Sequence, residues 1–199
     1  MIDHALSAAR VPVAQLAGIA VSDGPGSFTG LRIGWSAAKG LVQEHEIPLR
    51  AVPGAMAAAV GAASQVGAGP IAVCFDALRG DVFGAVYDVQ PGRVATLVPP
   101  TLLTIAELKH LAPVAPRAVV GDGAVRYSEE VTAWCGRAPI ALDALPLGAE
   151  SLLGLLAQGD VGRVIDQTSE PVYGRPAEAQ ARWEARHGRA LPGPTGSGG

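Results

Sequence analysis

The sequence has little of what marks a nucleic-acid-binding, metal-binding or membrane protein. Its 15 Lys and Arg residues are outnumbered by 18 Asp and Glu, and the formal net charge of −3 argues against an extended basic surface. The two cysteines, Cys74 and Cys135, stand far apart and form neither a metal-binding nor a redox spacing. No apolar run reaches the roughly 20 residues that cross a bilayer, and the first residues lack a signal-peptide layout. We expect a cytoplasmic protein with reduced thiols and no membrane contact.

Catalytic patterns are also scarce. The histidines at positions 4, 45, 110 and 187 are scattered, and Leu49 stands where a His-Glu-x-x-His motif beginning at His45 needs its second histidine. Ser27 is not in a Gly-x-Ser-x-Gly elbow. Asp76, Arg79 and Asp81 cluster near a predicted hairpin turn, where a salt-bridged turn is a better interpretation than a cleft-facing site. The sequence therefore predicts no catalytic residue, no metal ligand and no enzyme activity of this chain alone.

What the sequence does contain is an alternation of apolar strands and amphipathic helices, with an antiparallel hairpin in the middle. This order predicts an α/β fold with a mixed sheet. The predicted strands are 16–22, 47–52, 70–76, 81–88, 93–98, 117–120 and 140–142. The predicted helices are 2–13, 27–44, 54–66, 105–111, 124–134, 150–158 and 178–187. Residues 1–69 are expected to form a first lobe and 70–190 a second, followed by a disordered tail at 191–199.

The chain is organised around residues 23–34, Asp-Gly-Pro-Gly-Ser-Phe-Thr-Gly-Leu-Arg-Ile-Gly, which follow a predicted strand and open a helix. Glycines on either side of Pro25 permit a tight bend, and Ser27 is placed to cap the helix. Amides at the positive end of a helix suit a phosphate or carboxylate, although a simple strand-to-helix turn explains the same residues and the lysine of a Walker loop is missing. The predicted anion-binding loop comprises Gly24, Gly26, Ser27, Thr29 and Gly30.

The helix after the bend carries an apolar stripe at steps of three and four residues. Small residues such as Gly34 and Gly40 also interrupt it, and each glycine costs about 1 kcal/mol relative to alanine inside a helix. Two interpretations are compatible: the stripe covers a sheet, and another face meets a partner helix. The predicted partner interface comprises Phe28, Leu31, Arg32, Gly34, Trp35, Ala38 and Lys39.

Three segments carry a family resemblance. Residues 24–34, with Ala-Lys-Gly-Leu at 38–41 and Ile-Pro at 47–48, resemble the signature of the bacterial TsaB (YeaZ) family of tRNA threonylcarbamoyladenosine biosynthesis proteins. Asp-Ala-Leu-Arg-Gly-Asp-Val-Phe at 76–83 is similar to the family's Asp-Ala-Arg-x-Gly-Glu-Val-Tyr hairpin. Glu-Pro-Val-Tyr at 170–173, followed by Arg175, resembles its C-terminal Glu-Pro-Val-Tyr-Leu-Arg.

The resemblance implies a two-lobed actin/Hsp70-like (ASKHA) fold with mixed sheets flanked by helices. It also implies a non-catalytic partner of the paralogous transferase TsaD, which makes N6-threonylcarbamoyladenosine in ANN-decoding tRNAs with help from the ATPase TsaE. TsaD would form a heterodimer with this chain through the family's first two helices, the complex would use ATP and contact tRNA, and the chain alone would bind no cofactor. A homodimer is an alternative assembly.

Two departures from the family pattern stand out. Family members begin with strands, one with an Asp-Thr-Ser segment, ahead of the helix at which this chain starts, so we expect a truncated first lobe or a start codon assigned too late. The first sheet would then expose an edge. Gly174 also replaces the usual leucine. A free-standing hydrolase and a nucleotide-binding module stay open as alternatives to the partner role.

Overall fold

The described residues form two β-sheets, and helices cover the faces of these sheets. The computed structural model describes residues 2–26, 28–157, 161–173, 186 and 188. The first sheet has the strand order β1–β2–β7, in which β1 (Ile19–Ser22) runs parallel and β7 (Arg163–Val164) antiparallel to β2 (Leu49–Val52). Within the described part of the chain, β1 is therefore an edge strand of this sheet.

The second sheet is an antiparallel meander with one parallel strand added. Its order is β5–β4–β3–β6, with β3 (Gly69–Leu78), β4 (Asp81–Gln90) and β5 (Arg93–Leu103) joined by tight turns and β6 (Ala118–Val120) parallel to β3. The meander strands are longer than predicted. Strand β5 continues through two prolines, which an edge strand tolerates because one side of it needs no ladder donors.

In the described ranges, seven α-helices pack around these sheets. They are α1 (Ile2–Ala9), α2 (Phe28–His45), α3 (Gly54–Val66), α4 (Ile105–Leu111), α5 (Asp122–Arg126), α6 (Ser128–Cys135) and α7 (Ala149–Ala157). Helix α3 has its predicted bounds and buries eight residues, six of them alanines. Seven of the eight belong to one core cluster with β3, β4 and α7. Small side chains let this helix approach the second sheet closely.

The alternation of side chains along residues 81–88 is typical of a hairpin strand with one less buried face, but in the structure both faces of strand β4 are buried. Ala85 and Tyr87 are 1% exposed in the α3 cluster, and Val82 and Val86 are fully buried against α4 and α6 on the other face. The alternation seen in the sequence is therefore between two apolar environments. A strand covered on both faces carries little polar signal.

Three predicted boundaries were wrong for local reasons. Helix α1 ends at Ala9, since Arg10 adopts a left-handed φ of 55° and Pro12 cannot continue the helix. The predicted helix 124–134 is two helices, α5 and α6, separated at Tyr127 (φ −105°, ψ 43°). Residues 140–142 contribute only an isolated bridge from Ile140 to Val120 before a short 3-10 helix.

The chain crosses back to the first sheet near its C-terminal end. The predicted boundary at 69/70 falls at the first residue of β3, and β7, which lies in the range predicted for the second lobe, pairs with β2 in the first sheet. The predicted helix 178–187 and tail 191–199 lie outside the described residues, apart from position 186. No helix in the described ranges has the length and hydropathy to cross a membrane.

Candidate functional site: the glycine bend and helix α2

The glycine bend is held by backbone hydrogen bonds to neighbouring elements. The Asp23 amide donates to Val52 O (2.7 Å), and the Gly54 amide at the start of α3 donates to Gly24 O (2.9 Å). Gly24 has a left-handed φ of 97°, and a Cβ there would overlap the carbonyl oxygen of Val172. Glycine is therefore required at position 24 by both conformation and space.

The predicted anion-binding loop is only partly available for such a role. The amide of Gly24 donates to Ser22 Oγ (3.3 Å), so it is not free to hold a ligand. Gly26 lies near the Leu31 side chain, while Thr29 and Gly30 are exposed on the first turn of α2. Ser27, the predicted cap, is outside the described residues. Anion binding at this loop stays a prediction.

An ion pair between a buried aspartate and a partly exposed arginine joins the bend to a distant part of the chain. Asp23, which is 8% exposed, accepts hydrogen bonds from Nε and Nη2 of Arg163, each 3.0 Å long. This bidentate contact raises the pKa of the Arg163 guanidinium. The same guanidinium lies 5.2 Å from the ring centre of Trp35, whose Nε1 donates to Ser22 O (2.9 Å). Strand β1, the bend and helix α2 are thus joined at one point.

Residues 163–173, which we call the strap, run from β7 along one side of α2. Lys39 Nζ donates to the carbonyl oxygens of Gln167 (2.9 Å) and Ser169 (2.6 Å). Asp166 accepts hydrogen bonds from the side chains and amides of Thr168 and Ser169, and these lower its pKa to about 2. The Val172 amide closes the strap onto the bend by donating to Asp23 O (2.8 Å).

The strap ends in a small cluster of aromatic and cationic side chains. The Tyr173 ring lies 4.7 Å from that of Phe28, and the Arg32 guanidinium carbon lies 4.6 Å from the Phe28 ring centre. Arg32 Nε donates to Tyr173 Oη (3.3 Å), and this hydrogen bond raises the pKa of the guanidinium. The Glu-Pro-Val-Tyr segment noted in the sequence therefore supports the first turn of α2.

The predicted partner interface divides between the inside and the outside of the chain. Leu31, Trp35 and Ala38 are only 9%, 3% and 5% exposed, with Trp35 and Ala38 in the core cluster of the first sheet. All three also line the groove described below, so their assignment to a partner interface stays a prediction. Lys39 donates a hydrogen bond to the strap. Phe28 is partly exposed to solvent, and Arg32 and Gly34 are exposed.

The side of α2 away from the sheet is apolar and small. We define its outer face by Ile33, Ala37 and Gly40, all exposed, with Ile33 at 65%. Beside this face lies a groove of about 450 Å³, lined mainly by residues of α2, among them Gly34, and of β1, with Ile2 of α1. Sequence reasoning missed this face because it followed the more hydrophobic stripe, which is the buried one.

The second predicted cluster is a structural turn. Asp76 pairs with Arg126 of α5 (2.9 Å), and Asp122 Oδ1 accepts from the Asp76 amide (3.0 Å). Since the Arg126 side chain is 53% exposed, a pair of this kind contributes about 0–1 kcal/mol. The ion pair of Asp76 is therefore made with a helix residue 50 positions away, and a salt bridge within the turn itself stays a prediction.

Nucleophilic and metal-ligating groups are not assembled in the described ranges. No group of three or more His, Cys, Asp or Glu side chains there is arranged to hold a metal ion. Burial raises the pKa of the Cys74 thiol to about 12, so it stays protonated at neutral pH. Cys135 is partly exposed, and its sulfur lies 3.3 Å from Arg137 O.

Comparison with known proteins connects this geometry to a family. A family model described as "TsaD: tRNA N6-adenosine threonylcarbamoyltransferase" matches residues 1–131. The tRNA threonylcarbamoyladenosine biosynthesis protein TsaB of Bacillus subtilis (strain 168) is 31% identical over 176 residues, covering 85% of this chain and 74% of the relative. TsaB of Escherichia coli (strain K12) is 36% identical over 87 residues, covering 44% of this chain and 38% of the relative. That second match spans less than half of the relative's length.

Solved structures agree with the sequence comparison. YeaZ from Pseudomonas aeruginosa superposes with a TM-score of 0.64 at 29% identity, covering 86% of this chain and 81% of that one. A P. aeruginosa protein described as similar to peptidase YEAZ gives 0.65 at 28% identity, covering 88% and 81%. The helix-flanked mixed sheets are thus of the predicted actin/Hsp70-like type. The chain belongs to the TsaB (YeaZ) family of TsaD-like proteins.

Proposed function

We propose that this protein acts in the biosynthesis of N6-threonylcarbamoyladenosine in tRNA, as a non-catalytic subunit docked on a TsaD-type transferase. The observation that carries the proposal is the exposed apolar surface of α1 and α2 in a chain of this family. The relatives are named for this biosynthesis, and the matching family model is named for the transferase. We place the complex in the cytoplasm, with TsaE as its ATPase.

Helix α1 supports docking because its own packing is slight. It has eight residues and none of them is buried, while Ile2 is 44% exposed. Helices this short are marginal in water unless an apolar face is packed against something. The groove beside α2 offers an apolar surface against which a helix of the partner can pack. Gly34 in its lining permits the partner backbone to approach closely.

The cleft between the two sheets supports a non-catalytic role. Its volume is about 290 Å³, and apolar side chains such as Pro25, Phe75 and Leu147 dominate its lining. Ser22 and Ser151 are its polar side chains, and none of the described lining residues is charged. A triphosphate needs cations or an amide cradle. In this proposal ATP is consumed by the complex, and this chain binds no nucleotide alone.

The direct test is reconstitution. Purified TsaD, TsaE, ATP, a threonylcarbamoyl donor and unmodified tRNA from one organism are incubated with and without this protein, and modified adenosine is measured by chromatography. We expect modification only in the complete mixture and none from this protein alone. Full activity without this protein, or hydrolase or nucleotide-binding activity of the isolated chain, would contradict the proposal and favour the alternative functions.

A matched pair of substitutions tests the docking surface. Ile33→Glu places a charge on the outer face of α2, while Leu102→Glu does the same at a 54% exposed leucine on the second sheet. Both sites are exposed, so thermal stability should change little in either variant. We expect Ile33→Glu to lose TsaD binding and modification, and Leu102→Glu to retain both. Equal effects of the two substitutions would show that α2 is not the docking surface.

A further inference from the structure

The side chain of Arg32 is exposed, yet it makes two contacts within the chain. Phe28 packs against the guanidinium at 4.6 Å, and Tyr173 Oη accepts from Nε at 3.3 Å. The Phe28 ring covers one face of the guanidinium, and the hydrogen bond to Tyr173 uses the edge at Nε. The two terminal nitrogens, Nη1 and Nη2, carry the donors that match a carboxylate or phosphate in bidentate fashion. An exposed arginine usually loses rotamer freedom on binding, and here part of that loss has already occurred.

The electrostatic setting of Arg32 favours an incoming anion. It lies near the N-terminal end of α2, where the helix dipole is positive, and the first turn of α2 contains no acidic residue. A cation at this end is unfavourable for the helix itself. Of the acidic side chains nearby, Asp23 is paired with Arg163, and Glu170 interacts only weakly with Arg32.

We propose that Arg32 is the charged anchor of the docking surface, binding a carboxylate of the partner protein, and that Tyr173 is its positioning residue. This inference rests on the proposed function and adds the chemistry of the contact. A protein carboxylate is favoured over an RNA phosphate for two reasons. The neighbouring Ile33 is a large exposed apolar side chain, typical of protein interfaces, and the chain's net charge of −3 repels a polyanion.

The test measures the affinity of the full chain for purified TsaD at 50 and 300 mM NaCl. Arg32→Gln should weaken binding at least tenfold at low salt, and by less at high salt, because an exposed charge contact is screened. Arg32→Lys keeps the positive charge but lacks the planar guanidinium, so its affinity for TsaD should lie between those of the wild type and Arg32→Gln. Arg93→Gln, at the exposed first residue of β5, is the matched control and should bind like the wild type.

The role of Tyr173 is tested through its coupling to Arg32. Tyr173→Phe removes only the hydroxyl acceptor and should weaken binding a few-fold without changing thermal stability. The double variant Arg32→Gln/Tyr173→Phe should bind no more weakly than Arg32→Gln alone, because the hydroxyl acts only through the guanidinium. Additive losses would refute the positioning role.

Other outcomes overturn the anchor itself. If Arg32→Gln binds TsaD with wild-type affinity, Arg32 is not the anchor. If that variant also weakens tRNA binding by the complex, Arg32 contacts a phosphate instead. If the wild-type chain does not bind TsaD at all, the proposed function and this inference fail together. Binding that survives Arg32→Gln but not Ile33→Glu would refute only the inference.

Discussion

The contact between Asp23 and Arg163 gives a quantitative prediction because its two members are buried to different degrees. The Asp23 side chain is 11% exposed and that of Arg163 is 43% exposed. Removing the arginine leaves a carboxylate in a nearly dry site, whereas removing the carboxylate leaves a guanidinium that water can reach. Unpaired buried charges cost far more than unpaired exposed ones.

We expect Arg163→Ala to lower the free energy of unfolding by about 3 kcal/mol, the low end for breaking a buried pair, since water partly reaches the site. Asp23→Asn keeps one acceptor oxygen and should cost about 1–2 kcal/mol. In the Asp23→Asn background, Arg163→Ala should cost only about 1 kcal/mol more, which makes the coupling energy about 2 kcal/mol.

Urea unfolding at neutral pH measures these differences, with far-UV circular dichroism as the global probe. Tryptophan fluorescence adds a local probe, because the Arg163 guanidinium lies 5.2 Å from the Trp35 ring centre. If Arg163→Ala costs no more than Asp23→Asn, desolvation of the carboxylate does not control the stability of the bend. Additive single effects would show that the two side chains do not act as a pair.

Three further predictions follow from single sites. Gly40→Ala should stabilise the free chain by about 0.5–1 kcal/mol in urea unfolding, because a Cβ there meets no atom within 4 Å and alanine favours helix; a destabilised variant would contradict this. A thiol reagent at pH 8 should modify Cys135 but leave Cys74 unreacted until the chain unfolds, because Cys74 is buried with a pKa near 12; two fast thiols would refute it. The Asp166 pKa is lowered to about 2, so its carboxylate stabilises the fold above its unfolded value of 3.8 and loses that contribution as pH falls toward 2. The melting-temperature advantage of wild type over Asp166→Asn should therefore be constant from pH 7 to 5 and shrink below pH 4; a pH-independent difference would refute the assignment.

Local chemistry determined which elements the sequence could predict. Helix α4 has its predicted bounds, because Thr104 and Glu107 form the reciprocal capping box that their spacing indicates. Helix α3 begins after Pro53, which suits a helix start. Strand β5 was underestimated because its second half is stabilised by pairing with β4, not by its own residues.

The site was less predictable because its key contacts join distant segments. Asp23 and Arg163 are 140 residues apart, and Arg32 and Tyr173 are 141 apart. No periodicity or spacing rule connects such positions. Family resemblance singled out both the bend and the Glu-Pro-Val-Tyr segment, but it did not reveal that one is strapped onto the other.

The glycines of helix α2 are better explained by contact with a partner than by the fold of the chain. On the sheet side the helix buries Trp35 and Ala38, and on the strap side Lys39 holds two carbonyl oxygens. Gly34 and Gly40 serve neither contact: a Cβ at Gly34 would meet Val21 at an ordinary 3.9 Å, and one at Gly40 would meet nothing. Each glycine still costs the helix about 1 kcal/mol. Because nothing in the described part of the chain requires them, we infer that the surface they leave open is needed by a molecule outside it. Gly34→Ala should therefore stabilise the free chain while weakening its complex with TsaD.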